Sequence, residues 1–149
     1  MSTPKTWDLL NGVKTALARI SVANGFYTDA GAAVTLEPGQ VPADAGIVLA
    51  VALDTITQSD QAAFRAGQTG FAAGVVIVAK VDTALTDAQI RLHELIEDVQ
   101  TAMADARKDF GAQIRFPVFT EARPIVPESG LLWIGAEIRY QSHIVRLPK

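Results

Sequence analysis

The chain contains no cysteine. It can therefore form no disulfide, present no thiolate nucleophile and build no cysteine metal site. Histidine is nearly as scarce: there are two in 149 residues, His93 and His143, far apart in sequence. Aromatic residues make up only 7%, so Ala, Val and Ile must carry much of the packing. Positive charge is not in excess, with 13 Lys and Arg against 16 Asp and Glu and a formal net charge of −3. A protein that grips nucleic acid by neutralising phosphates needs a basic face, so the charge balance argues against that class. DNA that merely slides past a weakly acidic wall is not. The longest apolar runs, residues 46–53 and 71–79, fall well below the roughly 20 residues that span a bilayer. The first residues carry neither a basic stretch nor an apolar signal region. No membrane association is expected, and the protein is expected to be made in the cytoplasm.

What is present suits a folded core. Hydrophobic residues are 49% and charged residues 19%, enough to form a single domain over residues 1–149. Thr3 is placed to cap a first helix, with Pro4 at its first position, where a missing N–H costs nothing. Trp7, Leu10, Val13, Leu17 and Ile20 recur at spacings of three and four and predict one apolar stripe. Asn24-Gly25 tolerates positive φ and is expected to end that helix. A short strand is predicted at residues 33–36. Residues 47–53 form an unbroken apolar run, which reads as a strand buried on both faces. Residues 55–70 are polar and predict a long loop. Residues 71–81 predict the next strand, around Val75, Val76, Ile77 and Val78.

The second helix is expected from a capping box of Thr86 and Gln89 onward. Its face is Leu92, Ile96, Val99, Met103, Ala106 and Phe110, with Arg107 and Lys108 in the last turn and Gly111 as the stop. Residues 112–129 hold Pro117, Pro124 and Pro127, so strands near 114–119 and Ile125 should lie at an edge. The last segment alternates. Leu132, Ile134, Ala136, Ile138, Tyr140 and Ile144 point one way, and Glu137, Arg139, Gln141 and His143 the other. The fold class predicted is α+β: a mainly antiparallel sheet with two helices packed on one face.

The search for chemistry finds little. There is no His-Glu-x-x-His, Gly-x-Ser-x-Gly or Walker loop, and Glu97 follows His93 where a second ligand would stand. Gly67-Gln68-Thr69-Gly70 lacks a lysine and leads into a strand, so no helix N-terminus faces a phosphate. Glu94, Glu97, Asp98 and Asp105 crowd the second helix beside Arg91 and read as a solvated charged face. No catalytic, cofactor or metal residue is predicted. The polar side of the last strand is the feature to weigh. It is either an ordinary wet sheet face or a subunit contact whose mixed charges set register. Trp133 falls on the same side and would either serve as an interface anchor or pack under the nearby Pro-rich loop. The candidate contact residues are Trp133, Glu137, Arg139, Gln141 and His143, followed by Arg146 and Lys149. Arg65 and Gln68 join them from the polar loop.

Ile20-Ser21-Val22-Ala23-Asn24-Gly25-Phe26-Tyr27-Thr28-Asp29-Ala30-Gly31 carries a resemblance. A first helix running into this turn and then a short strand resembles tail terminator or minor tail proteins of tailed bacteriophages. The order of elements downstream is similar, including a long helix with Leu92, Ile96 and Val99 and a final strand near Ile138, Arg139 and Tyr140. The glycines suit unusual backbone geometry, and Thr28 and Asp29 can bond nearby backbone groups. The resemblance implies a sixfold ring that caps the tail tube in the virion, stops its growth and presents a surface to the head. Its partners would be copies of itself, the tube protein and a head-completion or connector protein, with DNA passing through the lumen and no cofactor. A head–tail connector or tail-tube protein is the alternative. A small-ligand domain or enzyme is the third reading, which a deep pocket with a shifted carboxylate would revive.

Overall fold

The computed structural model describes residues 3–37, 46–59, 67–125, 130 and 132–146. Arg65, Pro127 and Lys149 lie outside them. The elements run α1 (Lys5–Leu17), β1 (Val34–Thr35), β2 (Ile47–Gln58), β3 (Thr69–Asp82), α2 (Ala88–Ala104), β4 (Val118–Pro124) and β5 (Trp133–Arg146). Sheet order is β1-β2-β3-β5-β4, with only β1 and β2 parallel. The α+β class with a mainly antiparallel sheet and two helices is as predicted.

The sheet forms because its central strands are apolar on one side throughout. Val75, Ile77, Ala79 and Val81 of β3 lie opposite Tyr140, Ile138, Ala136 and Ile134 of β5. All eight are buried, and with Leu49 and Val51 of β2 they face the helices. From α1 come Leu9, Leu10, Val13, Ala16 and Leu17, and from α2 Leu92, Leu95, Val99, Ala102 and Met103. Burying these side chains supplies the main stabilisation, at roughly 1.5–3 kcal/mol for each large one.

Several expectations need correction. Trp7 is 40% exposed, because the α1 stripe turns through Leu9 and Ala16 instead. α1 ends at Leu17, and Asn24-Gly25 closes a separate short 3-10 turn at Val22–Asn24, with Gly25 at φ +91°. α1 begins at Lys5, with no side-chain cap from Thr3, whose hydroxyl instead donates to Asp8. α2 starts at Ala88 without a side-chain cap, so Thr86 and Gln89 form no capping box. It ends at Ala104, ahead of Arg107, Lys108 and Gly111. Leu132 precedes β5 and is 76% exposed, since the buried side of that strand begins at Ile134.

Both ends of the predicted loop at 55–70 are strand, and residues 60–66 of it lie outside the described residues. β2 continues to Gln58 and β3 already starts at Thr69, because Thr57 pairs with Ala72 and Gln58 with Phe71. Residues 55–58 are exposed on both sides, so no alternation marks them as strand although they are paired. Pro117 and Pro124 flank or end β4, which is an edge strand, as the prolines require.

Candidate subunit-contact surface

Two polar clusters organise the molecule, and only one of them is on the surface. The first lies under the 24–31 turn. The Ser21 hydroxyl accepts from the Asn24 N–H at 3.2 Å, and Asp29 Oδ1 accepts from the Val22 N–H at 2.9 Å. The Gly31 N–H donates to the Ile20 carbonyl at 2.9 Å, and a Cβ on Gly31 would sit 2.5 Å from the Ala18 carbonyl oxygen. Gly31 is thus needed for close approach of two backbone segments. The turn docks on α2 through Asp98. Its carboxylate accepts from the Tyr27 N–H at 3.0 Å, the Thr28 N–H at 2.9 Å and the Thr28 hydroxyl at 2.8 Å. Asp98 and Thr28 are 2% and 3% exposed. This corrects the reading of Asp98 as part of a solvated helix face. It faces inward, one turn from Leu95 and beside Val99. Nothing local marks it out, because its donors lie about seventy residues upstream.

The second cluster covers the side of the sheet away from the helices. Trp133, Glu137, Arg139, Gln141 and His143 share that side of β5, opposite Asp82, Val78, Val76, Gly74 and Ala72 of β3. The five residues singled out on this strand thus share one side but are strung along it, with Trp133 and His143 about 33 Å apart at the rise of a strand. Gln68 is exposed, just before β3, and Arg65 is outside the described residues. Between the charges the face is apolar: Val76, Val78 and Ala52 are half-buried, and Val48 and Ala50 are buried.

Arg139 is the centre of this surface. Its Nε donates to Asp54 Oδ2 at 3.1 Å and its Nη2 to Glu137 Oε2 at 2.5 Å, while Nη1 lies 3.6 Å from Glu121 Oε1. The guanidinium thus spans from β2, across β5, to β4. Asp54 reaches it by plain alternation, since Val48, Ala50, Ala52 and Asp54 share this side of β2; the register shift between Leu53 and Thr55 then turns Thr55 to the same side. The hydrogen bond to Glu137 raises the Arg139 pKa above the usual arginine value against the opposing effect of burial, and Asp54 adds to it. Glu121 also lies 3.7 Å from Arg123. Three carboxylates thus face two guanidinium groups. Asp54 and Glu121 were not singled out in the sequence; a lone acid after an apolar run reads as a strand end.

At one end of the face the His143 Nδ1 lies 2.8 Å from the Ser59 hydroxyl. A histidine–serine contact alone is no nucleophilic centre; a triad also needs a group to orient the ring and an oxyanion hole. Among the described residues, no three His, Asp or Glu side chains gather closely enough to hold a metal ion. A cleft of about 320 Å³ beside α1 is lined by Lys5, Asp8, Asn11, Thr15, Asp109 and Gln113. The Asp109 carboxylate there is held by both Nη atoms of Arg19, one at 2.7 Å. A second, mostly apolar groove of about 300 Å³ runs between α2 and β4. No helix among the described residues is long and apolar enough to cross a membrane.

No protein-family model matches this chain, and no curated protein matches it in sequence. Among solved structures it is similar to a chain of the virion of a native gene transfer agent particle. The two are 17% identical with a TM-score of 0.55, over 97% of this chain and 100% of that one. The likeness is one of fold.

Proposed function

We propose that this chain is a non-catalytic structural protein of a virion, and specifically a tail terminator. In this reading, residues 1–149 act as one domain. Six copies close into a ring on the last layer of the tail tube, stop its polymerisation and offer the surface to which the head joins. The protein would sit at the head-proximal end of the tail after assembly in the host cytoplasm. Its partners would be its own copies, the tube protein and a head-completion or connector protein. The observation that carries the reading is the end-to-end fold likeness to a chain of a gene transfer agent virion. The polar clusters fit an assembly role better than catalysis. The Asp98 carboxylate is satisfied internally, and Arg139 is bound by its own chain. The net charge of −3 fits DNA passing the lumen without specific binding.

Electron microscopy of tails assembled without this chain tests the proposal. Over-long tubes are the expected result. Tubes of normal length with unattached heads would replace the terminator by a connector. Long stacks of the purified chain would make it a tube protein.

A further inference from the structure

Among the described residues the sheet has two open edges, and they match. β4 pairs only with β5, so the outer edge of Val118–Pro124 has no strand beside it among the described residues. At the opposite edge β1 covers only Leu49 and Ala50 of β2. Among the described residues, 51–58 of β2 therefore have no strand on their outer side either, over a length close to the seven residues of β4. Open edges expose unpaired N–H and C=O groups and are normally blunted or covered.

Strand polarity limits what can cover them. β2, β3, β5 and β4 alternate in direction across the sheet. β2 and β4 consequently run opposite ways. If a second copy is placed beside β4 by rotation about an axis roughly along the strands, its β2 meets β4 antiparallel. The ladder then continues without a break, and both copies keep their helices on the same side.

The side chains at the two edges are complementary on that side. Leu53 and Ile56 lie opposite Val75 and Ala73, hence on the helix side, and are 37% and 56% exposed. Beside β4, also on the helix side, runs the apolar groove of about 300 Å³, lined by Met103, Phe116, Pro117, Val118, Phe119 and Tyr140. Phe119 is 43% exposed and stacks edge-on against Tyr140, with ring centroids 5.7 Å apart. An apolar edge on one copy thus faces an apolar slot on the next. Added-strand recognition takes this form: main-chain bonds give affinity, and a pocket for alternate side chains gives specificity.

We propose that β4 of one copy takes up residues 51–58 of a second copy as an added antiparallel strand, with Leu53 and Ile56 entering the groove beside Phe119. The contact is head-to-tail, since each copy uses one edge to give and the other to receive. Closure into a ring rests on the reading above; the pairing itself does not.

The absence of native cysteine makes the test clean. The two edges of four adjacent strands are about 14 Å apart at the spacing of neighbouring strands, beyond the roughly 7 Å limit for a disulfide between Cα atoms. Cysteines at Phe119 and at Ile56 or Leu53 can therefore bridge only between copies. Ile56→Cys/Phe119→Cys and Leu53→Cys/Phe119→Cys are oxidised with glutathione disulfide, at high concentration and on assembled tails, with each single variant as control. The expected result is a covalent ladder of dimers, trimers and higher multiples from at least one double variant, at least tenfold above the single variants. Dimers alone, as abundant from Phe119→Cys as from the doubles, would mean two-fold pairing of β4 with β4 and overturn the proposal. So would the absence of a ladder in both conditions. If rings are visible in those uncross-linked samples, the ring reading survives and only the pairing falls. An open-ended ladder with no ring, and tails of normal length without the chain, would sink the ring reading and keep the pairing. Circular dichroism of each variant confirms that the fold is intact.

Discussion

Asp98 and Arg139 each sit at the centre of a cluster of polar groups, and the two clusters obey different physics. Asp98 is sealed between α2 and the 24–31 turn, where three donors from the turn replace the water it gave up. Arg139 lies on the open side of the sheet, with a side chain 25% exposed among carboxylates 31–47% exposed. In the dry site each lost bond leaves an unsatisfied group; in the wet one, water and salt take over. The first cluster therefore belongs to the folding of the chain. The second is a surface, free to be reshaped by what it meets.

The largest expected effect comes from emptying the sealed site. Asp98→Ala leaves two turn N–H groups and a hydroxyl buried without an acceptor, and should cost on the order of 3–5 kcal/mol. Asp98→Asn keeps an acceptor oxygen but brings two donors into a site built only of donors, and should fall between. Urea unfolding measures both. A loss below about 1 kcal/mol for Asp98→Ala would show that water reaches the site and would erase the contrast.

The same turn offers a second, smaller break. Gly31→Val places a branched side chain where a Cβ alone would lie 2.5 Å from the Ala18 carbonyl oxygen. The backbone must move, at a cost of roughly 2–3 kcal/mol. Thermal melting should show the destabilisation, and hydrogen exchange should show it centred on residues 20–31. Uniform loss of protection across the chain would mean that the turn is not a separable unit.

How much of this was legible in the sequence follows the same division. Where one side of an element is dry, burial writes a period into the residues. The run 47–53, the run 71–81 and the alternation 133–144 all became strands, and the stripe through Leu92, Val99 and Met103 became the buried side of α2. Where burial depends on a distant segment, no period records it. Asp98 looks like its neighbour Glu97 until the turn arrives. Where neither side is dry, the pattern vanishes though the strand remains, as in residues 55–58. The contact candidates on β5 shared one side because alternation fixes that. Their partners Asp54 and Glu121 sit where the registers of β2 and β4 slip, and irregularities of pairing leave no trace in a single strand.

Tyr140 sits between the two regimes, on the buried side of β5 but next to the groove by β4. Burial pushes its pKa up, from 10.0 to about 12. The folded state therefore holds the phenolic proton more tightly than the unfolded chain. That contribution to stability is complete below pH 10 and is lost as pH rises from 10 through about 12. Tyr140→Phe removes it, so the variant should lose less stability than the parent over this window. Melting temperatures taken from pH 9 to 12 check the difference. Parallel curves would mean that the hydroxyl is as well hydrated folded as unfolded.

The smallest effect belongs to the open face. Arg139→Met keeps an apolar stem beside Val76 but removes the charge that holds Asp54, Glu121 and Glu137. Exposed pairs contribute up to about 1 kcal/mol, so the monomer should lose about that much and stay folded. The loss should shrink in roughly 1 M salt, where the Debye length falls to about 3 Å and the carboxylates no longer repel. A loss above about 3 kcal/mol that salt leaves unchanged would mean this cluster is as dry as the one around Asp98. The same variant speaks to assembly. If the polar side of β5 makes a subunit contact, freeing three carboxylates should weaken assembly far more than folding, because repulsion across an interface adds to repulsion within it. Equal assembly of parent and variant would leave Arg139 as a strap between the edge strands, and move the contact to the edges themselves.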